Sequence, residues 1–171
     1  MYAKGKVTGH ETRIFASTFI DNYVIASAGW DDTVLFWDSR TGSVVRSIFG
    51  PHVCGDAIVS VGGTLVTGSW RESEQLQIWD VGSGRCIKNI SIGRPNNSLM
   101  IYSIALSSDR RIIAAGGSGM NSVMFYRRQD YSLYARTEKF DSCINCMDLV
   151  NLRFAVGFAN SEIYVDNLLQ K

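Results

Sequence analysis

Hydrophobic positions in this chain fall in short runs rich in Val, Ile and aromatic residues, separated by clusters of Gly, Asn, Asp and Ser. No stretch carries apolar residues at helical spacing, so the runs predict strands joined by turns. A first unit reads as strands over 13–18, 23–28, 33–37 and 43–48, with turns at 21–22, 30–32 and 39–42. A second repeats it at 57–61, 64–69, 76–79 and 85–90, and a third at 101–106, 112–116, 122–126 and 133–136. A fourth offers strands at 144–149, 154–158 and 162–165 and lacks an outer one. The third strands, such as Val34-Leu-Phe-Trp37, are apolar nearly throughout instead of alternating, which suits strands covered on both faces. The expectation is an all-β fold of antiparallel, four-stranded sheets.

The units form a repeat. Trp37-Asp38 recurs as Trp79-Asp80, an offset of 42 residues, inside the roughly 40–45 expected of a propeller blade. His10, in Gly9-His10, precedes Trp37 by 27 residues, and His52 precedes Trp79 by the same 27. These residues resemble the WD-repeat (WD40) β-propeller family over essentially the whole chain, strongly in the first half. In the third unit Tyr126-Arg127 stands where Trp-Asp would, and in the fourth Val165-Asp166, with no Gly-His upstream.

The resemblance implies a single WD-repeat domain over 1–171. Its blades lie at about 8–48, 49–90, 99–136 and 142–166, with residues 2–7 as a closing outer strand. It also implies a buried network in the first unit, formed by His10, Ser27, Asp31 and Trp37. There a carboxylate and a hydroxyl satisfy the imidazole, and the indole donor finds a partner. The second unit keeps His52, Thr67 and Trp79. Its turn at 70–75 is two residues longer and has no clean match to Asp31.

Charge adds an exclusion. Seventeen Lys and Arg against 16 Asp and Glu leave a formal +1, so neither nucleic acid nor an anionic membrane surface is an expected partner. No run approaches the roughly 18 apolar residues of a membrane span, and the first six residues are too polar for a signal-peptide core. Four cysteines (Cys54, Cys86, Cys143, Cys146) show no secreted framework, so a reducing, cytoplasmic setting is expected. Cys143 and Cys146 form a lone CxxC. On a strand, positions three apart face opposite sides, so the pair reads as buried small hydrophobes, not as metal ligands. No catalytic, cofactor-binding or metal-binding set assembles, and no cofactor is expected.

By resemblance, turns between second and third strands lie on the face where propellers commonly bind peptides. Trp30, Asp32, Trp70, Arg71, Met120 and Phe158 occupy those turns and are the candidate partner-binding residues. The competing reading is that they pack over the central channel or between blades. The expected function is a non-catalytic protein–protein interaction scaffold. Two alternatives stand beside it. Arg40 completes a Trp-Asp-Ser-Arg box similar to that of substrate receptors in cullin-type ubiquitin ligases, and some propellers are enzymes that use the central channel.

Four blades are fewer than the seven or eight usual in the family. A bare blade face of about eight apolar side chains, at about 2 kcal/mol each, forgoes on the order of 16 kcal/mol of burial. Net domain stability is only about 5–15 kcal/mol. The expected solution is a homodimer whose two halves close one eight-bladed ring, each chain lending its first strand to the other. The rivals are a chain that is part of a longer product and a closed four-blade monomer.

Overall fold

Most apolar runs become strands and most Gly/Asn/Asp clusters turns, although the glycine-rich residues 116–119 continue as strand. In this computed structural model, which describes residues 9–168, the described residues form sixteen strands and no helix. The first sheet runs β1 (Ile14–Phe19), β2 (Val24–Gly29), β3 (Thr33–Asp38), β4 (Ser43–Phe49) in chain order, all antiparallel. The second repeats this with β5 (Ile58–Val61), β6 (Thr64–Gly68), β7 (Leu76–Asp80) and β8 (Cys86–Ile90). The expected strand at 2–7 lies outside the described residues.

The third sheet departs from expectation by one strand. β9 (Gly93–Arg94) turns back on the start of a ten-residue β10 (Asn97–Leu106), which then pairs with β11 (Ile112–Gly119). β12 (Met124–Arg127) and β13 (Leu133–Arg136) complete five strands. The start of β10 is amphipathic enough to pair, but Pro95 and the Asn96-Asn97 pair read locally as loop. The fourth sheet has three strands, β14 (Ile144–Val150), β15 (Arg153–Phe158) and β16 (Ile163–Asn167). β10 starts four residues before the expected 101 and β11 ends three residues after the expected 116; the other observed bounds fall within one or two residues of the sequence expectation.

One turn shows why the hairpins close tightly. Val61 pairs with Thr64 across Gly62 and Gly63, both at positive φ (56° and 77°). Two consecutive left-handed residues are what a two-residue hairpin of native twist requires, and glycine supplies them without Cβ strain.

The sheets stack face on face in chain order, β1 against β5, β5 and β6 against β10, and β10 and β11 against β14. Innermost strands therefore form the joints, and each blade has a leading face toward the next blade and a trailing face toward the previous one. Ala26, Ala28, Val34 and Phe36 on the first leading face share one core with Val66, Leu76, Ile78, Ile101 and Ile104. A second core holds Ala114, Phe125, Ile144, Phe154 and Val156 at the last joint. This explains the continuous apolar third strands: Val34, Leu35 and Phe36 are all buried although they alternate between faces.

Candidate functional site

The segment that enters the first blade crosses its trailing face and delivers His10 over β2 and β3. His10 Nδ1 donates to Asp31 Oδ2 at 2.7 Å, and its Nε2 accepts from the Ser27 hydroxyl at 2.7 Å. Trp37 Nε1 donates to the same Ser27 oxygen at 2.7 Å. An ionised carboxylate only accepts, so the proton on the ring sits at Nδ1, and the serine hydrogen is free for Nε2. Asp31 also accepts from the backbone N–H of Glu11 (3.0 Å) and of Thr33 (3.3 Å). The structure brings all four residues together, with the His10 side chain only 2% exposed.

The second blade is wired differently. Trp79 Nε1 donates to Thr67 Oγ1 at 2.9 Å, but His52 is not on Thr67. Its Nδ1 donates instead to Asp32 Oδ1 (2.7 Å), and its backbone N–H to Ser69 Oγ (3.1 Å). The expected grouping of His52, Thr67 and Trp79 is thus split. The longer turn at 70–75 presents no carboxylate where Asp31 stands in the first blade, so the imidazole turns outward, 32% exposed, to the nearest one.

That pairing also redefines Asp32. It sits at φ 55° and spends one oxygen on His52, joining the turn of one blade to the entry loop of the next. Arg71, the other charged rim candidate, folds inward. Its Nη1 donates to the Gly50 carbonyl (2.9 Å) and its Nη2 to the Glu74 carbonyl (3.1 Å). Around it lies a polar cluster that sequence reasoning missed. Gln77 Nε2 donates to Asn89 Oδ1 (2.9 Å), Asn89 Nδ2 to Glu74 Oε1 (3.0 Å), and Gln75 Oε1 accepts from the Ile92 N–H (2.9 Å). A signal was present: Gln75 and Gln77 flank Leu76 in a strand that reads as buried, and Gln77 pairs with Thr67 as Leu35 pairs with Ser27.

Trp30 and Trp70 take matching places after β2 and β6, 43% and 41% exposed. Trp30 is braced from behind: its ring lies 5.2 Å from Phe15, Arg13 stacks 5.4 Å away, and Nε1 donates to Cys54 Sγ at 3.0 Å. Burial pushes the Cys54 thiol up, which keeps it protonated there. Trp70 is held by its backbone N–H on the His52 carbonyl (2.9 Å). Met120 and Phe158 are half-buried; Phe158 packs 4.9 Å from Phe140, and Met120 closes against the first core. The rim candidates therefore divide into two exposed indoles, two committed charged groups and two packed side chains.

Arg40 is bonded twice to Asp38 (3.0 and 2.7 Å) and lies 4.7 Å over the Tyr23 ring. Cys146 is exposed and Cys143 half-buried, against the expectation of two buried thiols. The reason is that Cys146, opposite Gly157, faces the side of the last sheet on which no other described sheet packs. Among the described residues no three His, Cys, Asp or Glu side chains cluster as metal ligands would. No described helix is long and apolar enough to cross a membrane.

No family profile matches the chain. Among curated proteins it is 30% identical over 99 residues to the CCR4-associated factor 4 homolog of Candida glabrata, covering 52% of this chain and 17% of that protein. It is 25% identical over 174 aligned positions to the ribosome biogenesis protein WDR12 homolog of Anopheles gambiae, covering 94% of this chain and 39% of that one. The chain thus spans well under half the length of these relatives. Among solved structures it superimposes on the WD40 propeller domain of Doa1 with a TM-score of 0.77 at 16% identity, over 92% of this chain and 51% of that one. The designed protein Ika4 matches at a TM-score of 0.77 and 19% identity, over 94% of both chains. The designed protein Ika8 matches at 0.76 and 19%, over 93% of this chain and 47% of its own.

The stacked antiparallel sheets and the histidine–tryptophan wiring define a propeller built from WD repeats. The chain has the β-propeller fold of the WD40 domains it superimposes on, and its four sheets are four blades of that fold.

Proposed function

We propose that the chain is a non-catalytic interaction scaffold that holds a protein or peptide on the rim carrying Trp30 and Trp70. The observation behind this reading is that two indoles, one blade apart in equivalent turns, stand partly exposed, Trp30 braced by Phe15, Arg13 and Cys54 and Trp70 held through its backbone N–H. Large, pre-ordered aromatic side chains lose little entropy on binding and supply much contact area, so they serve as anchors. Asp32 and Arg71 serve this surface indirectly, by holding the turns. The histidines are spent on structural hydrogen bonds, which supports a role without chemistry. The relatives' names, a CCR4-associated factor and a ribosome biogenesis protein, point the same way, toward an intracellular protein that works in assemblies.

The test is affinity capture with the wild-type chain and a Trp30→Ala/Trp70→Ala variant, each checked by thermal melting. Partners retained by the wild type and lost by a variant of unchanged melting temperature support the reading. A variant that captures the same partners, or that no longer folds, refutes it, because the indoles then serve packing.

A further inference from the structure

Three inner joints show what a blade face needs, and the last sheet carries the same parts uncovered. On each leading face, two apolar residues in or just before the third strand point at the next blade: Val34 and Phe36, then Leu76 and Ile78, then Val123, one residue before β12, and Phe125. All six are buried. By register the fourth pair is Ile163, opposite Gly157, and Val165, opposite Ala155. These stand 77% and 48% exposed.

The second strands repeat the theme with holes. A Cβ on Gly68 would collide with Ile101 and crowd Ile104 from the next blade, and one on Gly116 would collide with Met147 and crowd Ile144. Glycine is required there because the neighbour's isoleucine occupies the space. Gly157 takes the equivalent place in the last sheet, paired with the first residue after the β14 bulge as Gly116 is after the β10 bulge. A Cβ there would meet only Cys146 Sγ of its own sheet, at 2.7 Å. The hole is built and, among the described residues, nothing from another blade fills it.

The missing knob is at the other end of the chain. Ile101 lies opposite Gly117 and Ile144 opposite Phe158, each just before a bulge in the first strand of its blade. In the first blade that position, opposite Gly29 and before the β1 bulge, is Ile14. Ile101 and Ile144 are buried, while Ile14 is 54% exposed, and Phe19 and Phe49, also exposed, lie by register on the same trailing face. Because Ile14 and Ile163 are both open, the two flanks of one chain do not cover each other.

We infer that the leading face of the fourth blade receives the trailing face of the first blade of a second copy, Ile14 of each chain seating over Gly157 of the other. Two such contacts are related by a two-fold axis and close a ring of eight blades. The size fits, since the chain covers about half of solved WD40 domains (51%) and of the designed Ika8 (47%), leaving a second half of its own length. Ika4, a chain matched over 94% of both lengths, shows that a fold of this size is made as one polypeptide.

Light scattering on the 171-residue chain at micromolar concentration tests this. The wild type is expected at two-chain mass. Ile14→Glu and Ile163→Lys, each alone, are expected at one-chain mass with circular dichroism unchanged. Both together in one chain are expected to restore the dimer, because the two sites meet at each joint. If Ile163→Lys unfolds, Val165→Lys on the same face replaces it. A one-chain mass for the wild type overturns the inference. So does a dimer that survives both single substitutions, or a series of open polymers. Neither substitution touches Trp30 or Trp70, so loss of the dimer and loss of partner capture are read separately.

Discussion

His52 reaches out of its own repeat to Asp32, 2.7 Å away in the turn of the preceding blade, while His10 reaches Asp31 within the blade it enters. Adjacent carboxylates thus serve two histidines on successive blades. One pair is buried and the other lies at the surface.

The two pairs are expected to differ in worth. Asp31→Ala leaves a buried imidazole donor and two backbone N–H groups without their acceptor, which costs about 1–3 kcal/mol. Asp32→Ala removes a pair that water already screens and should cost less than about 1 kcal/mol. Urea unfolding of the two variants checks the order; equal losses would contradict it.

Among the described residues Thr67 is the acceptor of the buried Trp79 indole N–H. Thr67→Val keeps the shape and removes the acceptor, so about 1–3 kcal/mol of stability should be lost. Thr67→Ser, which keeps the hydroxyl, should recover most of it in the same unfolding experiment.

Gly68→Ala forces a methyl group into the space of Ile101 and should cost about 1–3 kcal/mol through overpacking. Gly157→Ala meets one movable thiol side chain of its own sheet, so its effect on the melting temperature of the isolated chain should be smaller. Calorimetry of both variants, with Ile101→Ala as a relieving second change for the first because it removes the Cγ2 methyl the new group would strike, tests the packing account.

Hydrogen bonds from the Arg40 side chain and backbone hold the Asp38 carboxyl down to about 2, from an ordinary 3.8. A depressed folded value means the ion pair's contribution to stability is complete above about 3.8 and is lost as pH falls through about 2. NMR titration of Asp38 should find its midpoint near 2 in the wild type, and Arg40→Ala should move it back up. An unmoved midpoint in that variant would show that Arg40 is not the cause.

Much of the fold was legible locally. A strand's apolar period, its bounding Gly, Asn and Asp residues and the recurrence of Trp-Asp are written in adjacent residues, so most strands fall within two residues of expectation. The His10 group was legible for the same reason, as a fixed spacing to Trp37. The β9 strand was not, because Gly93 and Arg94 become strand only by pairing with Asn97 and Ser98.

What the chain alone determined is therefore the inventory: most of the strands, how often the blade recurs and which indoles stand at its turns. Tertiary structure decided the pairings. Asp32 was the carboxylate for His52, Arg71 turned inward to Gly50, and Ile163 stood open where Leu76 is closed. Strand periodicity is set by a residue's own neighbours, whereas hydrogen-bond partners and burial depend on which blade comes to lie alongside.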